Sequence, residues 1–545
     1  MRRIASSPGT AVIDLQPIGR RIETARGTTL LAAAQAAGVE LQAICGGAGT
    51  CGGCRVRVAH GAVAALSDAE SVALSGPERA DGLRLACQAT ALGNVRVDIP
   101  PESLTAAQRL QLDGEEPEAR PFPPSVPTGR LGLAIDIGTT KLALFLVDLD
   151  SGLTLARRGA MNPQIAYGED VISRIAYAGA GAQTEGVLRR VLLSTLNRAV
   201  SDLCGEVGVV PESIAEAVVV GNTVMHHLFS GLPVRSLGVA PYRPATTEAL
   251  ELEARPAGLA LAPGVPLYLP PLVAGFVGAD HVATLLACGM GETPRPTLAI
   301  DIGTNTEISL AIGGRLLSCS SPSGPAFEGA HITAGMRAAP GAIERVHLSG
   351  GAASVYTIDR MPPIGVCGSG ILDAVSEMLR TGLLDRRGNI GERSPARRAA
   401  SGPNELLLAP AAGTGHGRDI AVTRGDVNEI QLAKAAVRAG IEVLLADAGA
   451  GAGEIEQVLV AGAFGSYLDL ASAVRIGLLP RLPLDRFRQV GNAAGAGARR
   501  MLTSPAHRRA AEALARRIEY VELTAHPAFH RGFVTAMEFE VSRRR

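Results

Sequence analysis

Lysine is nearly missing from this chain: of 52 basic residues only Lys141 and Lys434 are lysine, and the rest are arginine. Where arginine is used so freely, a retained lysine points to a need for a compact charge on a flexible stem. Both lysines are therefore candidate site residues. Net charge is missing as well, since 52 Asp and Glu residues balance the 52 bases. A neutral balance argues against a protein that grips nucleic acid or anionic membranes through excess positive charge, and favours small-molecule and protein partners. Long apolar runs are also missing. The most apolar region, residues 259–290, is broken by Pro266, Pro270, Pro271 and Asp280, so no membrane-spanning helix is expected. The opening MRRIASSPGTAVIDLQ is basic but lacks an apolar stretch ahead of a small-residue cleavage site, so no secretory leader is expected and the compartment is read as the cytoplasm.

What remains is a chain of 545 residues, 47% apolar, long enough for roughly three or four domains of about 150 residues each. Four of its eight cysteines fall close together. ICGGAGTCGGC supplies Cys45, Cys51 and Cys54, and RLACQAT supplies Cys87. In a reducing compartment such a group points to a metal site rather than disulfides. A structural zinc usually shows two separated Cys-x-x-Cys pairs, whereas three thiolates from one loop and a fourth from elsewhere suit a two-iron, two-sulfur cluster. The loop glycines let the chain wrap closely and aim backbone N–H groups at sulfur. Cys204, Cys288, Cys319 and Cys367 have apolar neighbours and no ligand spacing, and read as buried structural thiols.

Residues 10–100 resemble a two-iron, two-sulfur ferredoxin. TAVIDLQ and RRIETAR match its opening hairpin, TTLLAAAQAAGVEL the helix before the cluster loop, and VRVDIP its closing strand. The five-residue first gap is closer to the adrenodoxin-like and related bacterial pattern than to the plant type. The charged, proline-rich stretch that follows reads as a linker over 101–130, whose flexibility would let the electron carrier move.

LAIDIGT then occurs twice, at Leu133–Thr139 and Leu298–Thr304. Each copy reads as a strand, a tip and a second strand, with tips DIGTTK and DIGTNTE. A carboxylate at a strand end, a glycine and adjacent hydroxyls make a grip for a phosphate and its magnesium. Two such tips facing each other can surround one nucleotide. Each half later repeats a buried strand that ends in glycine and opens a helix, AVVVGNTVMHHLF at 217–229 and QVLVAGAFGSYLD at 457–469. This organisation is similar to the superfamily of actin, sugar kinases and heat-shock chaperones. The resemblance implies that Asp136 and Asp301 act catalytically, and that Gly138, Thr139, Thr140, Lys141, Gly303, Thr304, Asn305 and the turn Gly462, Ala463, Phe464, Gly465 bind ATP and Mg2+. Lys434, on a helix before that turn, would flank the adenine.

With NPQIAYGEDVISRI, GFVGAD, SGPAFEGAHITAGMRAAPGAIE, GVCGSGILD and YVELTAHPAF, the combination resembles the ATP-dependent reductive activators of corrinoid-dependent methyltransferases. Thr306 stands where that family usually has glycine. The expected fold is multidomain α/β. A β-grasp ferredoxin domain (1–100) holds the cluster on Cys45, Cys51, Cys54 and Cys87, and a linker (101–130) leads to a duplicated actin-like, ribonuclease H-like ATPase, whose halves span 131–295 and 296–545. The resemblance implies one-electron reduction of a Co(II) corrinoid protein or methyltransferase to Co(I), driven by ATP, with an external electron donor. A homodimer is kept open. The alternatives are an electron-transfer component of a demethylase or oxygenase with a regulatory nucleotide domain, and a small-molecule kinase carrying a redox sensor. The activators of 2-hydroxyacyl-CoA dehydratases share the ATPase fold but have a different cysteine arrangement.

Several residues carry weaker expectations. His226 and His227 are adjacent on a helix and cannot face one ligand together, so a packing or partner-contact role is expected. Glu169 and Asp170 read either as a helix N-terminal pattern with Arg174 or as catalytic acids. Glu328 and Asp280, each set among glycines, are candidates for the cleft.

Overall fold

The computed structural model describes residues 9–540 apart from 17–19, 38, 40, 44–46, 51, 101–102, 104–128, 169, 330, 350–351, 393–395, 399–403, 416 and 466. The expected linker falls almost wholly outside the described residues. The chain forms two compact units, one of residues 1–108 with 163–188, the other of 109–162 with 189–545.

The first unit is built on strands β1 (Thr10–Gln16), β2 (Arg20–Ala25), β3 (Arg55–His60), β4 (Leu83–Leu85) and β5 (Val95–Asp98). They form one sheet in the order β2-β1-β5-β3-β4, with β1 antiparallel to β2 and parallel to β5. Alternation in TAVIDLQ sends Ala11, Ile13 and Leu15 into a core shared with Leu30 and Ala34 of the helix Leu30–Ala36. Thr29 caps that helix, accepting from the Ala32 N–H at 3.1 Å. This is the β-grasp expected from the hairpin and helix signals. Residues 163–188, which lie within the expected first ATPase half, cluster by contacts with this unit. They fold back on themselves: the fully buried Arg174 donates to the Gly168 carbonyl (2.9 Å) and to Gln164 Oε1 (3.3 Å), and the Tyr167 and Tyr177 rings meet at 5.0 Å. Asp170 caps the helix Val171–Gly179, as its position suggested.

The second unit holds two sheets of matching design. In the first, β6 (Leu131–Ile137), β7 (Lys141–Asp148) and β8 (Thr154–Met161) form an antiparallel meander, and β9 (Ile214–Gly221) returns parallel to β6. β10 (Leu250–Glu253) and β11 (Pro266–Leu269) complete the order β10-β11-β9-β6-β7-β8. In the second, β12 (Thr297–Ile302), β13 (Thr306–Ile312) and β14 (Arg315–Ser321) repeat the meander. Two small sheets follow, β15 (Ala342–Ser349), β16 (Ala352–Thr357) and β17 (Gly365–Val366), then β18 (Ala396–Arg398), β19 (Asn404–Ala409) and β20 (Ile420–Val422). β21 (Gln457–Ala461) returns parallel to β12, and β22 (Phe487–Gly491) and β23 (Ile518–Tyr520) complete the order β22-β21-β12-β13-β14-β23.

The central strands read LGLAIDI and TLAIDI because both faces are covered, which removes the usual polar alternation. Leu133, Ile135, Ile137, Leu298, Ile300 and Ile302 are all fully buried. Each carboxylate comes one residue before the strand ends, which places it where the chain emerges from the sheet. No helix among the described residues is long and apolar enough to cross a membrane.

Candidate functional site

In the first unit, Cys54 and Cys87 are both buried. Cys45 and Cys51 lie outside the described residues. Cys87 follows β4, and an ion pair fixes that strand: Arg84 donates to both oxygens of the buried Glu70 (2.8 and 2.9 Å), whose Oε1 also accepts the Leu85 N–H at 3.1 Å. Such a bidentate, charge-assisted contact is directional. Gln88 then ties the Cys87 turn to the cysteine loop, donating to the Gly47 carbonyl at 2.8 Å and lying 3.7 Å from Cys87 Sγ. Gly47, Gly49 and Gly52 take left-handed φ values of +95°, +80° and +66°, conformations that side chains resist. Soft thiols on a glycine-shaped loop fit an iron–sulfur cluster, which when bound supplies a one-electron carrier.

In the second unit the two tips meet. Thr140 Oγ1 and Thr304 Oγ1 lie 3.5 Å apart, and the Glu328 carboxylate accepts from both, at 2.8 and 2.5 Å. The first tip is held from outside. Asn222 accepts the Met225 N–H with its side-chain oxygen, capping the helix Thr223–Ser230, and its amide donates to Thr139 Oγ1 at 3.0 Å. Asn162 donates to the Gly138 carbonyl at 2.9 Å. A side chain at Gly138 would run into the Lys141 carbonyl. Lys141 opens β7, and burial, outweighing the pull of Glu328, holds its ammonium below the ordinary lysine range. The second tip closes on itself, with the Gly303 N–H on the Asn305 carbonyl at 3.1 Å. Thr306, in extended backbone at the start of β13, pairs with Ser323 Oγ at 2.8 Å, so the departure from glycine is absorbed without strain. The turn Gly462–Gly465 follows β21. A side chain at Gly462 (φ +91°) would strike Asp301 Oδ1, and Phe464 stacks on Phe327 with ring centres 5.0 Å apart. The side chain of Ala463 is outside what the structure describes.

The carboxylates gather behind these tips. Burial is the main cause that raises Asp136 to about 7, with Asp301 adding repulsion and a hydrogen bond from Asn492 opposing both. Burial lifts Asp301 to about 6 against the Thr284 hydroxyl, which donates to Oδ2 at 3.0 Å. Asp280 and Glu307 are raised by burial first and then by repulsion within the same group. A cluster of repelling acids in a poorly solvated recess is stabilised by an arriving cation. Among the described residues no three His, Cys, Asp or Glu side chains converge enough to hold a metal ion alone.

This gives an expected pH dependence. Asp136 has its pKa raised from 3.8 to about 7, so between those values the folded protein holds a proton that the unfolded chain releases. Its contribution to stability is complete below about pH 4 and is lost as pH rises through 7, by up to about 1.4 kcal/mol per pH unit. The metal-free Asp136→Asn protein should lose less melting temperature than wild type between pH 5 and pH 8. Equal losses in thermal melts of the two proteins would contradict the shift.

Lys434 corrects the sequence reading. Its ammonium donates to the carbonyls of Ala536 (2.5 Å) and Glu538 (2.8 Å) and sits 5.0 Å from the Phe539 ring centre. It fastens the end of the chain to the helix Arg424–Ala448, and its hydrogen bonds go to backbone rather than to the expected adenine position. His226 and His227 are buried on their helix, and burial lowers both pKa values; His227 bridges the Thr223 carbonyl and the Ala245 N–H. Cys204 and Cys319 are fully buried with raised pKa values, and Cys367 is buried beside Ser369. The sequence reading passed over Asn222, Asn492 and Thr284. The first two had a signal, because Val-Gly-Asn is written at 220–222 and again at 490–492, each time between a strand and a helix.

Comparison with known proteins matches this arrangement along the chain. Residues 13–92 match the family model of the 2Fe-2S iron-sulfur cluster binding domain, 131–293 that of the RACo middle region, and 295–544 that of the C-terminal domain of RACo, the ASKHA domain. The corrinoid activation enzyme RamQ of Eubacterium limosum is 37% identical over 407 residues, covering 73% of this chain and 68% of that protein. A Co(II) methylated amine-specific corrinoid protein reductase of Methanosarcina barkeri is 27% identical, covering 68% and 69%. The solved structure of a reductive activator for corrinoid, iron-sulfur protein superposes with a TM-score of 0.69 at 33% identity, covering 97% of this chain and 98% of that one. A ferredoxin domain that supports a two-iron, two-sulfur cluster and a duplicated ATPase fold that supports nucleotide binding, joined in one chain, place the protein in the family of reductive activators of corrinoid proteins.

Proposed function

We propose that this chain reduces the Co(II) centre of a partner corrinoid protein to Co(I), passing one electron from its ferredoxin domain and using ATP binding and hydrolysis to make the step favourable. The observation that carries the nucleotide half of this reading is the meeting of the Thr140 and Thr304 hydroxyls on one carboxylate, beside acids on both strands that lead into the tips. Hydroxyls and backbone N–H groups at two facing tips hold phosphate oxygens. Asp136 and Asp301 would hold the hydrated magnesium that accompanies them and, through its water shell, orient the attacking water. The turn at Gly462–Gly465 would take the nucleoside.

Co(I) is a strong reductant, so an ordinary ferredoxin electron reaches it only if protein binding energy shifts the equilibrium. A ligand shifts a two-state element by its difference in affinity for the two states, and no more. Closure of the two ATPase halves on nucleotide is such an element here. An external donor recharges the cluster, and the setting is the cytoplasm. Sedimentation with and without nucleotide tests the homodimer.

The deciding experiment is anaerobic. The reduced protein is mixed with a Co(II) corrinoid protein, with and without MgATP, while the corrinoid spectrum is followed. The Co(I) band should grow only with MgATP. Equal reduction without nucleotide would favour a plain electron-transfer component, and no Co(I) with any corrinoid partner would overturn the reading.

A further inference from the structure

Glu328 occupies the point where the two tips come together, and the chemistry of its contacts makes it a competitor for the nucleotide. Each threonine hydroxyl carries a single hydrogen. At 2.8 and 2.5 Å, both hydrogens are directed at the Glu328 oxygens. Neither hydroxyl can donate to a phosphate oxygen while that holds. A carboxylate and a phosphate also repel each other at hydrogen-bond range.

The backbone around Glu328 is wedged. A side chain at Gly329 would meet the Met336 carbonyl at 2.2 Å, and one at Gly368 would meet the Phe327 carbonyl at 1.6 Å, so both segments are in close backbone contact. Phe327 is 2% exposed and stacked on Phe464. A shift of the whole turn would break this packing, whereas rotation of the Glu328 side chain would not. Lys141 lies within electrostatic range of the Glu328 carboxylate where it stands.

We propose that Glu328 is a built-in stand-in for phosphate: its carboxylate bolts Thr140 to Thr304, and an incoming nucleotide displaces it by side-chain rotation to gain the same two hydroxyls. Glu328 thereby sets the nucleotide affinity and makes the empty and loaded tips two discrete arrangements. This rests on the reading of the tips as the nucleotide site.

The test is equilibrium binding of MgATP by calorimetry to the full-length wild type, Glu328→Gln and Glu328→Ala, with ATP turnover measured alongside. Loss of the competing charge should tighten MgATP binding in both variants, by about tenfold or more. The melting temperature of the empty variants should fall below wild type, with the gap narrowing at saturating MgATP. Wild-type binding that the variants match or weaken would overturn the stand-in, and a fall in turnover with unchanged affinity would make Glu328 a group acting on the attacking water instead. No MgATP binding by wild type would overturn the nucleotide reading and the stand-in together.

Discussion

Cys87→Ala is expected to bleach the protein and stop cobalt reduction while leaving MgATP binding within about twofold of wild type. The cluster is expected to need four thiolates, and Cys87 is the one outside the cysteine loop. Its position depends on two contacts, the Arg84–Glu70 pair that fixes β4 and the Gln88 bridge to Gly47. Removing the sulfur therefore removes one of the four expected ligands. The ferredoxin core and the ATPase core are separate hydrophobic clusters, so the loss should not cross from one to the other. Visible absorption and calorimetric MgATP binding on the same preparation check this. Loss of both together would contradict two independently folded cores.

The second large effect is expected in ATP turnover. Asp136→Asn and Asp301→Asn keep the shape of each side chain and remove its charge. Carboxylates that would hold the magnesium act on the reacting phosphate through that cation, and removing one such electrostatic group typically costs about 10²-fold or more in rate. Each substitution should lower turnover by at least about 100-fold at saturating MgATP, and the two should differ in how they divide the loss between binding and rate. Asp136 is opposed by Asn492 and Asp301 by Thr284, so their surroundings are not interchangeable. Turnover near wild type in both variants would refute the assignment of these acids.

The hairpins and their tips were legible in the sequence because the information is local. Apolar runs and strand-end carboxylates are properties of a few adjacent residues, and an identical heptapeptide announces that a unit has been repeated. The Glu328 bridge was half legible: its glycine neighbours marked a special turn, but nothing local says which hydroxyls it will meet across 188 or 24 positions of chain. Lys434 was misread for the same reason. Its rarity announced a role, yet its partners are carbonyls about a hundred residues downstream, a contact set by how the last helix, Pro527–Ala536, lies on Arg424–Ala448. Asn222 and Asn492 were overlooked because an asparagine before a helix is so commonly just a cap. Both are caps, and their remaining amide hydrogens serve the site.

Those two asparagines also record how far the duplicated halves have drifted apart. β9 and β21 are equivalent strands, but the residue after the strand-end Gly221 is an asparagine that holds Thr139, while β21 runs through Ala461 into Gly462, where a side chain would strike Asp301. The second Val-Gly-Asn sits on β22, which pairs with β21 rather than with β12, and it too reaches the first half, at Asp136. Two identical tips would offer a nucleotide two equal ways to lie. With both amides drawn to the first tip and a glycine beside the acid of the second, the two tips are not interchangeable, and the proposed site has a head and a tail.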